Sequence, residues 1–280
     1  MWLSGIRFKN FNIMFTTSQI LFAFLLTAIA GLSTGIGSLI SLLAKKTNKN
    51  FLSLSLGFSA GIMIYVSFME MMPQALAQLS NVHGDKLGNL YLILAFFAGI
   101  IFINLIDFLI PENINPHEAH GVEEMDSNVA LKRTGILVAV SIAIHNFPEG
   151  IATFTSALES LDIAIPITVA IAIHNIPEGI AVAVPIYHAT GNRKKAFWYS
   201  FLSGLAEPLG ALLAFLFLMP FWSSTLNGLI LAAVSGIMVF ISLDELLPSA
   251  EKYGKHHLSI TGVVTGMLVM ALSLLLFGYL

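Results

Sequence analysis

The chain has 280 residues, of which 56% are hydrophobic and only 10% are charged. Soluble domains carry about 25% charged residues, so the composition excludes an ordinary globular protein and predicts an integral membrane protein surrounded by lipid. The formal net charge of −3 is too small to indicate a nucleic-acid partner, and the lack of cysteine excludes disulfides, thiolate metal sites and cysteine nucleophiles.

Eight apolar segments are long enough to cross a bilayer, which takes about 20 residues of α-helix. They span residues 18–44, 51–79, 87–110, 134–157, 161–188, 196–217, 226–249 and 258–280. The first segment lacks a clear small-residue cleavage site, so we expect a transmembrane helix there and no cleavable signal peptide. The sequence therefore predicts an all-α membrane protein with one polytopic domain, residues 1–280.

The distribution of basic residues predicts the orientation in the membrane. Ten of the thirteen lysines and arginines fall in one alternate set of connections, and basic connections are typically cytoplasmic. An even number of helices then places both termini outside and the loop 111–133 in the cytoplasm. This loop is acidic and contains His117 and His120. It is either an ordinary solvated linker or a segment that collects or senses metal.

One hexapeptide pattern occurs twice, as HNFPEG at 145–150 and HNIPEG at 174–179, inside the fourth and fifth segments. A carboxylate at the centre of a bilayer costs about 2.5–3.5 kcal/mol on insertion scales, so it requires a partner. On a helix the histidine and glutamate lie at i and i+4, with asparagine and glutamate at i and i+3. Imidazole, amide and carboxylate groups together suit a divalent metal ion. The candidate ligands are His145, Asn146, Glu149, His174, Asn175 and Glu178.

A hydrogen-bonded polar seam that only holds helices together is the alternative interpretation of this motif. The prolines of the two copies, Pro148 and Pro177, favour the metal site. Each removes a backbone N–H and displaces the carbonyl four residues earlier, and such interruptions tend to line cavities in membrane proteins.

Further acids lie within the apolar segments. Glu207 in the sixth segment is a third buried acid, which we assign to the same metal site because clustered carboxylates need cations or protons for compensation. Four others are candidate stepping sites for a cation: Glu70, Asp107, Asp244 and Glu245. For the last three, solvation at a helix end is the alternative interpretation.

The flanking segments contain a second repeat. Residues 66–75 resemble residues 241–250, and residues 31–37 resemble 204–210 more weakly. In the predicted topology the matched segments cross the membrane in opposite directions. This pattern is typical of an inverted-repeat transporter, whose ligand site lies near the membrane midplane.

Through the doubled motif, the eight segments and the charge pattern, the chain resembles the ZIP (Zrt/Irt-like) family of divalent-metal transporters, in particular its bacterial branches. The resemblance implies a 3+2+3 helix arrangement, alternating access, possible homodimers and a multi-pass location in the bacterial plasma membrane. It also implies a binuclear metal centre between helices four and five. One metal position would match His145, Glu149, His174 and Glu178. The other would match Asn146, Glu149, Asn175, Glu178 and Glu207.

We therefore expect an importer of divalent metal ions, with Zn²⁺ or Fe²⁺ as cargo, manganese, cobalt and cadmium as further substrates, and no organic cofactor. An intramembrane metalloenzyme is disfavoured, because the sequence contains neither H-E-x-x-H nor a Ser/His/Asp constellation. A passive channel and an exporter would use the same ligands. The order of metal selectivity, the coupling to protons or bicarbonate and the oligomeric state stay open at this point.

Overall fold

The computed structural model describes residues 15–43, 49–109, 128–253 and 255–278. Every regular element in these ranges is helical, which confirms the all-α prediction. The α-helices are α1 Thr17–Leu43, α2 Lys49–Val66, α3 Met72–His83, α4 Asp85–Leu109, α5 Asn128–Glu159, α6 Leu161–Thr190, α7 Arg193–Gly204, α8 Ala206–Leu213, α9 Ser224–Ile241, α10 Leu247–Tyr253 and α11 His256–Gly278.

Seven helical stretches of the described chain are long and apolar enough to cross a membrane. They are Thr17–Ile40, Asn50–His83, Asp85–Ile106, Leu161–Val184, Arg193–Phe221, Ser224–Lys252 and His256–Leu276. Large apolar side chains cover the outside, and Leu21, Ile101 and Leu276 are each more than half exposed. Polar side chains such as Asn146 and Asn227 are instead fully buried. This distribution is the one a bilayer requires, and the fold is that of a multi-pass membrane protein.

The fourth predicted segment, 134–157, lies inside α5, which is 32 residues long and contains Pro148. α5 is not among the seven stretches above. It begins at Asn128, so the end of the predicted loop 111–133 is helical, and the apolar run from Val129 to Leu131 offers no helix breaker. Residues 110–127, with His117 and His120, lie outside the described residues.

Two of the membrane-spanning stretches, Asn50–His83 and Ser224–Lys252, contain a single π-helical turn at matching positions. Ser67–Met71 joins α2 to α3, and Ser242–Leu246 joins α9 to α10. In each turn the serine hydroxyl donates a 2.7 Å hydrogen bond to the carbonyl four residues earlier. A proline follows each turn, and its ring displaces the preceding carbonyls. A wider turn accommodates that displacement. Both turns lie in the stretches that match in sequence, 66–75 and 241–250.

Glycines bring the motif helices against their neighbours with direct backbone contact. A Cβ atom at Gly37 of α1 would lie 1.8 Å from the Ile176 carbonyl oxygen of α6. A Cβ at Gly150 of α5 would lie 2.1 Å from the Glu207 carbonyl oxygen of α8. Such close approach is typical of membrane helices, where small residues replace hydrophobic burial as the basis of packing. It holds α1, α5, α6 and α8 tightly together around the doubled motif.

Candidate metal centre

The two copies of the motif are brought together by a helical hairpin. α5 ends at Glu159, and α6 begins at Leu161. Ser160 between them caps α6 by accepting a 3.2 Å hydrogen bond from the Asp162 backbone N–H, as N-cap serines commonly do. The two helices therefore run in opposite directions, and each motif copy faces the other. The six candidate ligands are all at most 1% exposed: His145, Asn146, Glu149, His174, Asn175 and Glu178.

Each histidine approaches the glutamate of the opposite copy. His145 Nε2 lies 3.4 Å from Glu178 Oε2, and His174 Nε2 lies 3.3 Å from Glu149 Oε2. The i to i+4 spacing within one helix places the histidine and glutamate on one face, but the close His–Glu contacts run between α5 and α6. The arrangement is nearly symmetric, because in each contact the histidine of one motif copy lies beside the glutamate of the other copy at almost the same distance.

Glu207 joins the same centre from α8. The Asn175 side-chain amide donates hydrogen bonds to Glu207 Oε1 and, at 3.0 Å, to the Ala30 carbonyl of α1. Glu207 is fully buried and within electrostatic reach of Glu149 and Glu178. Carboxylates from three helices therefore lie within electrostatic reach of one another.

Many polar atoms of this centre have no hydrogen-bond partner among the described residues. They include Nδ1 of both histidines, Oδ1 of both asparagines, both oxygens of Glu178 and one oxygen each of Glu149 and Glu207. The residues with such atoms are His145, His174, Asn146, Asn175, Glu149, Glu178 and Glu207. A buried polar group without a partner costs about 1–3 kcal/mol, and the hydrocarbon around these helices offers no compensation. Nitrogen and oxygen lone pairs of this kind are the donors that first-row divalent ions accept.

In the present geometry each histidine lies beside one glutamate of the other motif helix. Within the described residues, no three histidine, aspartate or glutamate side chains are grouped so that they could hold one metal ion. Two ligands of one tetrahedral zinc ion lie about 3.3 Å apart, so each His–Glu pair already has a ligand-like spacing. A bound cation would require a further donor to approach one of these pairs.

The other predicted acids differ in their relation to the centre. Glu245 lies in the π turn Ser242–Leu246, is 9% exposed and is within electrostatic reach of His145. Asp244, its neighbour, is exposed. Glu70 lies in the matching turn Ser67–Met71, is half-buried and accepts a hydrogen bond from Gln74. Asp107 lies in α4, and its side chain is outside the described part of the structure.

Two serines support the motif helix α6 and were not predicted from the sequence. Ser59 of α2 donates a 3.2 Å hydrogen bond to the His174 carbonyl. Ser200 of α7 donates a 3.0 Å hydrogen bond to the Gly179 carbonyl. The only signal in the sequence would have been their position in apolar helices, where small hydroxyl residues often lie at helix contacts.

Two apolar grooves flank the motif helices. One, of about 700 Å³, is bordered by Ile144 and Pro148 of α5 and by side chains of α4 and α9. The other, of about 280 Å³, is bordered by Ile173 and Pro177 of α6 and by side chains of α2 and α11. The bordering residues occupy the same places in the two motif copies. The grooves therefore correspond in position and differ in size.

Comparison with known proteins shows which family the sequence matches. The model of the family described as ZIP Zinc transporter matches residues 16–130 and 111–274. A Streptococcus mutans protein named Zinc transporter ZupT is 63% identical over 262 residues, which are 93% of this chain and 99% of that protein. Proteins of the same name from Clostridium perfringens and Nitratidesulfovibrio vulgaris are 57% and 54% identical. These alignments cover 93% and 94% of this chain and 97% and 100% of the two relatives, respectively.

Proposed function

This chain belongs to the ZIP zinc transporter family, and from that premise we propose that it imports zinc and related divalent ions across the bacterial plasma membrane. Proteins of this family are transporters and not enzymes. The observation that carries the proposal is the buried centre itself, where imidazole, amide and carboxylate groups of α5, α6 and α8 lie close together.

The donor set supports a binuclear site for the cargo. One ion would be bound by the two histidines with Glu149 and Glu178. The second would be bound by the two asparagines with the same glutamates and Glu207. The hydrogen bond between Asn175 and Glu207 supports the second grouping, because it already joins two of its members. Mixed nitrogen and oxygen ligands suit zinc, iron, manganese, cobalt and cadmium.

Alternating access is the mechanism that we propose for this site, with a 3+2+3 arrangement of inverted repeats. Three pairs of corresponding features support it: the two π turns, the two unequal grooves, and two glycine contacts with the motif helices. In these contacts Gly37 meets the Ile176 carbonyl oxygen and Gly210 meets the Phe147 carbonyl oxygen. The ion would bind between the paired histidine and glutamate side chains and leave on the other side. Candidate stepping sites on either side are Glu70, Asp107, Asp244 and Glu245.

The proposed orientation has both termini outside and the loop 111–133 in the cytoplasm, where His117 and His120 would collect the released metal. Inward movement of a cation is favoured by about 2.3 kcal/mol per charge for each 100 mV of potential, hence by roughly twice that for a divalent ion. The membrane potential would thus favour uptake without a second coupled ion. Residues 1–280 would form one transport domain, and two copies would form a homodimer.

Zinc uptake into proteoliposomes tests the function. We expect the purified chain to take up ⁶⁵Zn with saturable kinetics and to do so faster under an inside-negative potassium diffusion potential. Saturation reflects a site that must reorient, whereas a passive channel would give current that increases with concentration. Protein-free vesicles are the control. Absence of any zinc flux above that control would contradict the proposal.

Acid should weaken the uptake. Metal ligands bind as neutral imidazole and ionised carboxylate, so protons compete with the cargo for His145, His174 and the glutamates. We expect the apparent KM for zinc to rise as the pH is lowered on both sides from about 7.5 to about 5.5. The maximal rate should stay the same, so that uptake in acid reaches its usual rate once the zinc concentration is high enough. An unchanged KM, or uptake that accelerates in acid, would contradict simple competition at these ligands.

A further inference from the structure

A second group of buried polar atoms lies on α3 and α9, two helices that pack against each other. Asn227 of α9 is fully buried, and neither atom of its amide has a hydrogen-bond partner among the described residues. The same is true of both amide atoms of Gln78 and of Oε1 of Gln74, both in α3. These three residues are not among the proposed ligands of the metal centre, so the centre does not explain why polar side chains lie here.

Contacts on either side place these amides at one level of the helix pair. A Cβ at Gly228, next to Asn227, would lie 3.2 Å from the Ala75 carbonyl oxygen and 2.9 Å from Leu79 Cγ. Further along, His83 Nε2 and Thr225 Oγ1 are 2.9 Å apart. α3 and α9 are therefore antiparallel here, and Asn227 lies within about one helical turn of Gln78.

The group continues to Glu70. Gln74 and Gln78 are at i and i+4 and hence on one face of α3. The Gln74 amide donates a hydrogen bond to Glu70 Oε1. Amide and carboxylate oxygens thus follow one another along α3 to the π turn Ser67–Met71, inside a stretch that is apolar enough to cross a membrane.

Unpartnered amides are expensive in this setting. Each buried amide atom without a hydrogen bond costs about 1–3 kcal/mol, and lipid supplies no replacement. A leucine of similar volume would avoid that cost. Side-chain amide oxygens, a carboxylate and water are the ligands of divalent cations that keep part of their hydration shell.

The matching half of the chain lacks these amides. The stretches 66–75 and 241–250 pair Glu70 with Glu245 at a constant offset, and the same offset pairs Gln74 with Ser249 and Gln78 with Tyr253. Asn227 corresponds to Leu52, which is 2% exposed. Since leucine packs at the equivalent place, the fold does not require an amide there.

We propose that Gln74, Gln78 and Asn227, with Glu70, form a low-affinity site for a hydrated divalent cation. The site lies on the approach to the metal centre and, in the proposed orientation, on the outer side. This inference rests on the proposed function, because the transport centre would receive its cargo from this site. Only oxygen donors are involved, so the ion exchanges part of its water here and binds nitrogen first at the histidines.

Transport kinetics provide the first test. We expect Asn227→Leu and Gln78→Leu to raise the apparent KM for ⁶⁵Zn uptake several-fold at an unchanged maximal rate. Asn81→Leu, an exposed position of α3, is the matched control and should leave the KM as it is. The thermal stability of Asn227→Leu should be equal or higher, because leucine removes two unpartnered amide atoms. A KM equal to that of Asn81→Leu would overturn the proposal.

Direct binding separates this inference from the proposed function. The full chain carrying Glu149→Gln and Glu178→Gln should still bind Mn²⁺ weakly in an EPR titration, and adding Asn227→Leu should lower the number of bound ions by one per chain. If the amides hold only water, Asn227→Leu will leave the number of bound ions unchanged, and the proposal is wrong. If the unaltered chain shows no zinc flux but the Mn²⁺ binding is present, the transport function is contradicted and the proposed cation site is supported.

Discussion

Glu149→Gln combined with Glu178→Gln is expected to lower zinc uptake to the level of protein-free vesicles. Each glutamate lies 3.3–3.4 Å from the histidine of the opposite motif copy, and in the proposed site both bridge the two ions. Loss of a group that only orients a metal ligand costs about 10–100-fold in affinity, so loss of both bridging ligands should exceed that range. Glutamine keeps the shape and a hydrogen bond while it removes the charge.

The matched control for this double variant is Glu159→Gln, an exposed position at the end of α5. It should transport zinc at the rate of the unaltered chain. Protein amount and thermal stability in detergent must be compared for all variants, because buried ion pairs also affect folding when one partner is removed. If the double variant is folded and retains more than about half of the uptake, the doubled motif is not the transport site.

Gly37→Ala is expected to prevent stable folding. The new methyl group would lie 1.8 Å from the Ile176 carbonyl oxygen of α6. From the other side of the same contact, the methyl group of Gly179→Ala would lie 1.9 Å from the Thr34 carbonyl oxygen of α1. Overpacking against side chains typically costs about 1–3 kcal/mol. Here the obstacle is helix backbone next to the motif, so α1 and α6 must separate along their contact, and the cost should exceed that range.

Gly35→Ala in the same helix is the comparison. Its Cβ would lie 3.1 Å from the Phe201 ring, a side chain that adjusts more readily than backbone. We expect this variant to remain folded with a modest loss of thermal stability, whereas Gly37→Ala should give little monodisperse protein in size-exclusion chromatography. Equal stability of the two variants would show that the α1–α6 contact is looser than the backbone geometry indicates.

The helical architecture was predictable because the bilayer fixes both the length and the composition of its spans. The runs of apolar residues were sufficient to predict an all-α fold. The π turns Ser67–Met71 and Ser242–Leu246 were not predictable, since a π turn uses the same residue types as an α turn. Pro73 and Pro248 indicated only that each helix is disturbed there.

The composition of the centre was predictable and its internal pairing was not. A charge in an apolar run is conspicuous, so the doubled motif and Glu207 were found from the sequence. Spacing along one helix placed His145 beside Glu149, but the register between α5 and α6 pairs it with Glu178. Similarly, nothing in the sequence distinguishes Glu245, which is near His145, from Glu70 in the matching turn. The role of these residues as metal ligands remains a prediction.

The packing of α1 has a consequence for biosynthesis. α1 is the first of the described helices to leave the ribosome, yet the helices against which it packs are α5, α6, α7 and α8. The carbonyl groups that its glycines meet belong to Ile176 and Gly204. Because chains are made from the amino terminus, α1 is inserted in the bilayer well before its neighbours exist. A chain that stops after α4 leaves the glycine face of α1 open to lipid.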